Sequence, residues 1–341
     1  MRPRRSLDTY LNGVLAGDRV VLAQALTLVE STRPEDRRLA RALVSELQAA
    51  TLRAARPPSH RIGLTGVPGV GKSTFLERFG TARCDEGHRV AVLAIDPTSA
   101  RTGGSILGDK TRMASLARHP NAFIRPSPTG LELGGVARRT RESIVLCEAA
   151  GFGLVFVETV GVGQSEIAVA SMVDAFVFLA LPGAGDELQG IKRGILEHAD
   201  LVVVHKADRD ARSPAEEAKR TYDAALHYAR ARGDGWVPRT LLASSTTGDG
   251  HAEVWAALVE HRLATGTGPG LVTRRRAQEE RAFWAHIDEE LRASFDASRA
   301  VEQRLPKVVE ELRGGTVDAG AAAERILAAY FEEAGANRCG A

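Results

Sequence analysis

The sequence predicts an α/β protein: a mainly parallel sheet covered by helices, with helical extensions before and after it. Three observations predict this class. From His60 onward, short continuous apolar runs alternate with stretches of helical spacing, the pattern of strands buried on both faces. A glycine-rich turn, Gly66 to Ser73, stands between the first such run and a helical stretch. The segments before about residue 56 and after Gly270 keep helical periodicity throughout.

Taken in order, the first extension places Val14, Leu15, Val21, Leu22, Ala25, Leu26 and Val29, then Leu39, Leu43 and Leu47, at helical spacing. Asp18 is placed to cap a helix, and Arg56-Pro57-Pro58 ends the region. Six strands follow as apolar runs: Ile62–Thr65, Val90–Ile95, Leu154–Val157, Ala175–Ala180, Leu201–Val204 and Leu241–Leu242. Beyond Gly270, Trp284, Ile287, Leu291 and Phe295 form one stripe. Ile326, Leu327, Tyr330 and Phe331 form another, with Gly314-Gly315 between helices. No internal repeat or low-complexity segment interrupts this order.

Composition narrows the function classes. With 341 residues, 44% apolar and 26% charged, the chain has material for roughly two domains and a sizeable core, which excludes disorder as its main state. No run reaches about 18 apolar residues, so no membrane span is expected. A net charge of +2 is too balanced to argue for nucleic acid. Met1-Arg-Pro-Arg-Arg has a signal peptide's charge, but no apolar segment follows it before Asp18. Cys84, Cys147 and Cys339 are odd in number and widely separated, which reads as reduced thiols in a cytoplasmic protein.

The glycine-rich turn carries the chemistry. Gly66, Val67, Pro68, Gly69, Val70, Gly71, Lys72 and Ser73 fit G-x-x-x-x-G-K-[ST] after a strand and before a helix. Backbone N–H groups of such a loop curl around phosphates, and the helix N-terminus adds positive potential. Lys72 is expected to reach the β- and γ-phosphates, and the Ser73 hydroxyl to ligate magnesium. This is a nucleoside triphosphatase core.

Acidic groups that hold magnesium belong at the carboxyl ends of the strands, outside which ligands bind. Asp96 and Glu158 stand at such ends, and a solvated strand-end carboxylate competes as the reading of either one alone. Glu158-Thr-Val-Gly161 resembles the D-x-x-G element of GTPases, with Gly161 placed to offer its N–H to a γ-phosphate. Gln164 is a candidate for orienting water, and a surface glutamine is the competing reading.

His205-Lys206-Ala207-Asp208 falls where GTPases carry N-K-x-D. Asp208 can accept from guanine N1–H and its 2-amino group, a donor pair that adenine lacks. At roughly 1.5–3 kcal/mol per charge-assisted bond, two discriminate about a hundredfold or more. The Lys206 stem is expected to cover the base with its ammonium solvated. His205 departs from asparagine, and an imidazole is expected to replace one of the amide's hydrogen bonds but not both, weakening guanine binding. Ser244, Ser245 and Thr246 are expected to close over guanine O6, with an ordinary polar loop the alternative.

Longer segments carry a closer resemblance. These are Gly66 to Thr74, Asp96-Pro-Thr-Ser99, Gly103 to Met113, Phe123 to Pro128, Gly134 to Glu142, Glu158 to Glu166 and Leu181 to Lys192. Together they make the chain similar, over nearly its whole length, to the MeaB/ArgK family of GTPases that accompany adenosylcobalamin-dependent methylmalonyl-CoA mutase. The resemblance implies a P-loop GTPase domain over 57–268, an N-terminal helical extension over 1–56 and a C-terminal helical dimerisation region over 269–341. It implies that Asp96, Asp109 and Glu158 surround magnesium with Ser73, that Thr74 joins the nucleotide site, and that GTP or GDP is the ligand. It also implies three mobile segments, about 96–113, 158–166 and 183–194. The last contains Asp186, Glu187, Gln189, Lys192 and Arg193 and is the switch toward the mutase. No cobalamin is expected to bind this chain directly, and a homodimer is expected.

The lysines support this reading. In a chain that uses arginine almost everywhere, Lys72, Lys110, Lys192 and Lys206 are retained in these motifs, and a compact point charge does not interchange with a planar fork. The leading expectation is a GTPase chaperone of a cobalamin mutase that gates cofactor delivery and protects the mutase. A metallochaperone GTPase would need clustered histidines, whereas the nine here are scattered. An ATPase or kinase tied to basic amino-acid transport would need adenine to be read, against Asp208. A binding module without useful turnover stands as a fourth class.

Overall fold

The computed structural model describes residues 4–96, 113–128, 133–159, 165–183, 193–228, 235–265 and 269–339. Strands β1 (His60–Gly66), β2 (Val90–Asp96), β3 (Ala122–Pro128), β4 (Leu154–Thr159), β5 (Ala175–Ala180), β6 (Leu201–Val204) and β7 (Arg239–Leu242) form one sheet of order β3-β2-β4-β1-β5-β6-β7. Every neighbouring pair is parallel. The α/β class with a parallel, helix-covered sheet is therefore observed. β3 was not foreseen as a strand. Pro126 and Pro128 interrupt its apolar pattern, and they are tolerated because β3 is an edge strand, where a missing N–H costs no ladder bond on the open side.

Alternation along each strand sorts side chains to two faces. Val155 and Val157 of β4 face a core shared with helices α1 (Leu7–Leu15), α2 (Arg19–Glu30) and α3 (Pro34–Arg53). Leu154 and Phe156 face the opposite core, built with α4 (Lys72–Asp85) and α5 (Ala114–Arg118). Helices α6 (Leu133–Ala149) and α7 (Ser165–Ala170) lie on the first face. Along β5, Phe178 and Ala180 meet α9 (Arg212–Tyr228), while Val177 and Leu179 share their core with α10 (His251–Thr265). A short helix, α8 (Arg193–Leu196), precedes β6. Asp18 caps α2 by accepting from Val20 N (2.8 Å) and Val21 N (3.1 Å), which fixes where that helix begins.

The chain divides into two compact units, Met1–Gln278 and Glu279–Ala341. The first turns of α11 (Pro269–Asp296) belong to the larger unit and are bound there by charge. Arg275 grips Asp174 (Nε–Oδ1 3.0 Å, Nη2–Oδ2 2.6 Å) and Ser59 O (2.9 Å), and Gln278 donates to Val173 O (2.8 Å). Arg61 forks onto Glu148 beside them (2.7 and 2.8 Å). Burial opposes ionisation of Glu148 and Asp174, but the guanidinium groups of Arg61 and Arg275 hold both carboxyls below their ordinary values.

In the smaller unit, α12 (Arg299–Arg313) and α13 (Ala319–Cys339) bury Val301, Val308, Ala322 and Ile326 together. Ser298 caps α12 through Val301 N (3.2 Å). No described helix is long and apolar enough to cross a membrane. Among the described residues Cys84 and Cys147 are buried free thiols, and burial raises both, Cys84 to about 11.

Candidate nucleotide-binding site

The site is assembled at the carboxyl end of the parallel sheet. β1 delivers Gly66, the loop turns through Gly69 (φ 80°) and Gly71 (φ 96°), and α4 starts at Lys72. Gly71 has a second reason to be glycine: a Cβ there would sit 2.9 Å from His205 Cε1. Lys72 is buried, with its ammonium on Gly66 O (2.7 Å) and Val67 O (3.3 Å). Burial pulls its pKa below the ordinary lysine value, while Glu158 and Glu166 act in the opposite direction.

Ser73 Oγ donates to Glu158 Oε1 at 3.1 Å. Glu158 lies in β4 between Leu64 of β1 and Ala94 of β2, and Asp96 closes β2. A hydroxyl and a carboxylate at a helix N-terminus fit magnesium, which keeps several waters and takes one or two carboxylates with substrate phosphates. Thr159 donates to Thr65 Oγ1 (2.8 Å), locking β4 to β1 beside the loop.

The base-side segment is tied to the phosphate loop by two side chains. Lys206, exposed and at φ 58°, sends its ammonium to Gly69 O (2.8 Å). His205 Nδ1 meets Val70 O and its Nε2 meets Ser245 Oγ, both at 2.7 Å. A carbonyl only accepts, so Nδ1 carries the proton, and the neutral ring accepts from Ser245 through Nε2. Burial lowers the His205 pKa, which favours this neutral form. The expectation that an imidazole fills only one of the amide's roles is thus corrected: one nitrogen donates while the other accepts.

Ser244 donates to Asp208 Oδ1 and accepts from Thr246 N and Thr247 N, each at 3.2 Å. Its hydroxyl therefore ties the Asp208 carboxylate to the turn of the 244–246 loop. Two further participants escaped the sequence reading. Arg78, on the exposed side of α4, donates to the carbonyls of Ser245, Thr246 and Thr247. His251, lowered by burial to about 4, lies 3.3 Å from Ser245 Oγ and packs on Phe75, which meets His205 edge-on. Arg78 was hidden by the abundance of arginine, although its place one turn past the phosphate loop was a usable signal.

Lys72, Ser73, Glu158, His205, Lys206, Asp208 and the 244–246 loop therefore converge on one end of the sheet. Asp109, Gly161, Gln164, Asp186, Glu187, Gln189 and Lys192 lie outside the described residues, and Arg193 begins α8.

Residues 22–300 match the family described as Methylmalonyl Co-A mutase-associated GTPase MeaB. The chain belongs to the MeaB family. It is a GTP hydrolase with this family's P-loop fold. Among MeaB relatives, GTPase ArgK of Escherichia coli is 43% identical, with 93% of this chain and 95% of that protein covered. The Mus musculus protein named methylmalonic aciduria type A homolog, mitochondrial, is also 43% identical, covering 96% of this chain and 80% of its own. A solved structure titled LAO/AO transport system kinase aligns with a TM-score of 0.75 at 34% identity, over 96% of this chain and 98% of that one.

Proposed function

We propose that this MeaB-family GTPase serves an adenosylcobalamin-dependent acyl-CoA mutase, with methylmalonyl-CoA mutase as the first candidate, gating cofactor delivery and protecting the mutase from inactivation. The observation that carries the proposal is the match of residues 22–300 to a mutase-associated family, on a chain whose phosphate loop and base-side segment form one connected site. Lys72 engages the β- and γ-phosphates, and Asp208, held by Ser244, reads the guanine edge. Ser73 and Glu158, with Asp96 and Asp109, would hold magnesium, which would neutralise phosphate charge. Water attacks the γ-phosphorus, the bond to the β-phosphate oxygen breaks, and GDP leaves. Gly161 and Gln164 sense the γ-phosphate and orient the water, and segment 183–194 carries the response to the mutase. We place the protein in the cytoplasm as a homodimer whose second copy covers the apolar side chains Trp284, Leu291 and Phe331, each more than half exposed.

The test is co-purification from the native cell, followed by GTP turnover with and without the identified mutase. A complex with faster turnover is expected. Absence of both complex and stimulation overturns the mutase assignment. Lys72→Ala, by removing the charge on the phosphates, is expected to cut turnover at least a hundredfold while leaving the fold intact.

A further inference from the structure

One guanidinium, that of Arg78, meets three successive backbone carbonyls of the base-side loop. Arg78 Nη1 donates to Ser245 O (3.0 Å) and Thr246 O (2.8 Å), and Nη2 donates to Thr247 O (2.8 Å). Three successive carbonyls turned toward one side chain fix the orientation of the peptide planes between them, and so of their N–H groups. Two of those N–H groups, on Thr246 and Thr247, are taken by Ser244 Oγ, the same hydroxyl that donates to Asp208. The Arg78 contacts, the loop and the Asp208 carboxylate are therefore one connected hydrogen-bonded piece.

A second observation shows that the loop is shaped around this arginine. Gly248 has φ +92°, and a Cβ on it would lie 2.6 Å from Arg78 Nη2 and 2.9 Å from Nε. The glycine supplies both a left-handed turn and the space in which the guanidinium lies flat against the loop. At its other end Arg78 is anchored in α4, the helix that begins with Lys72 and Ser73. Its neighbour Glu77 reaches away from the loop, accepting from Ser115 N (2.7 Å) and Leu116 N (3.2 Å) at the start of α5.

We propose that Arg78 is a positioning residue for guanine selectivity, holding the Ser245–Thr247 loop and, through Ser244, the Asp208 carboxylate in the register that reads the base. It acts through these backbone carbonyls. The inference rests on the reading of Asp208 as the guanine-reading group.

The test uses the full chain and its Arg78→Met and Arg78→Lys variants, with calorimetric titration of GDP and ADP and amide hydrogen exchange. Arg78→Met keeps the apolar stem and removes every donor. It is expected to lower GDP affinity about tenfold, the scale of one charge-assisted hydrogen bond, with ADP affinity nearly unchanged. Exchange at Ser245–Thr247 is expected to rise. Arg78→Lys is expected to recover part of the loss, because an ammonium can reach one carbonyl but does not span three. Equal losses for GDP and ADP, or unchanged exchange in the loop, overturn the positioning role. Wild-type protein that binds GDP and ADP alike overturns the guanine reading itself, and this inference with it.

Discussion

At the scale of single residues, the departure His205 is the informative position. A neutral imidazole with Nδ1–H on Val70 O and Nε2 facing Ser245 Oγ offers one donor and one acceptor, as a primary amide can, from a ring that also packs against Phe75. His205→Asn is therefore expected to bind GDP within about threefold of wild type, and His205→Leu, which leaves both partners without a donor or acceptor, about tenfold more weakly. Calorimetric titration of the three proteins decides it; an asparagine variant that binds tenfold tighter would restore the view that the imidazole is a defective substitute. The phosphate loop, Glu158 and Asp208 were legible in sequence because fixed spacings place them on a strand–turn–helix frame. Ser244's attachment to Asp208 and Lys206's attachment to Gly69 were not, because they depend on which way a side chain turns once two loops meet.

At the scale of elements, the polar seam around Arg275 joins the first turns of α11 to the segments leading into β1 and β5. Arg275→Met leaves the Asp174 carboxylate buried with fewer partners, an expected loss of about 3 kcal/mol, read as a lower melting temperature. The same seam sets an acid limit. Glu148 and Asp174 have folded pKa values below their unfolded ones, so their contribution is present above the ordinary carboxylate range and is lost as pH falls through the folded values. Buried histidines act at higher pH: His60 is lowered to about 3 and His251 to about 4, and both are neutral when folded. Below about pH 6.5 the unfolded chain binds protons that the folded chain refuses, and each group then removes about 1.4 kcal/mol per pH unit. Melting temperature is expected to decline from pH 6.5 to 5, and a flat profile there would contradict the buried neutral state. Helices α1–α3 and the central strands were readable from apolar spacing. β3 was not, because its prolines erase the strand pattern and only its edge position permits them.

At the scale of the whole molecule, the exposed apolar side chains of the smaller unit bear on association. Trp284, Leu291 and Phe331 are 58%, 57% and 63% exposed, and replacing all three by glutamate is expected to convert a dimer to a monomer in light scattering. An unchanged mass would remove this surface from the assembly. The strand order has a consequence of its own for how the chain is made. β1, which carries the phosphate loop, pairs with β4 from Leu154 and with β5 from Ala175, so neither neighbour exists when β1 is synthesised. Only β2 and β3 can pair early among the strands of that half. A growing chain therefore leaves β1 without either neighbouring strand until Leu154–Thr159 has emerged, and closing that long loop costs entropy before any contact repays it. Damage to β4 or β5 should therefore appear first as protein that fails to accumulate in soluble form, before it appears as a slower enzyme.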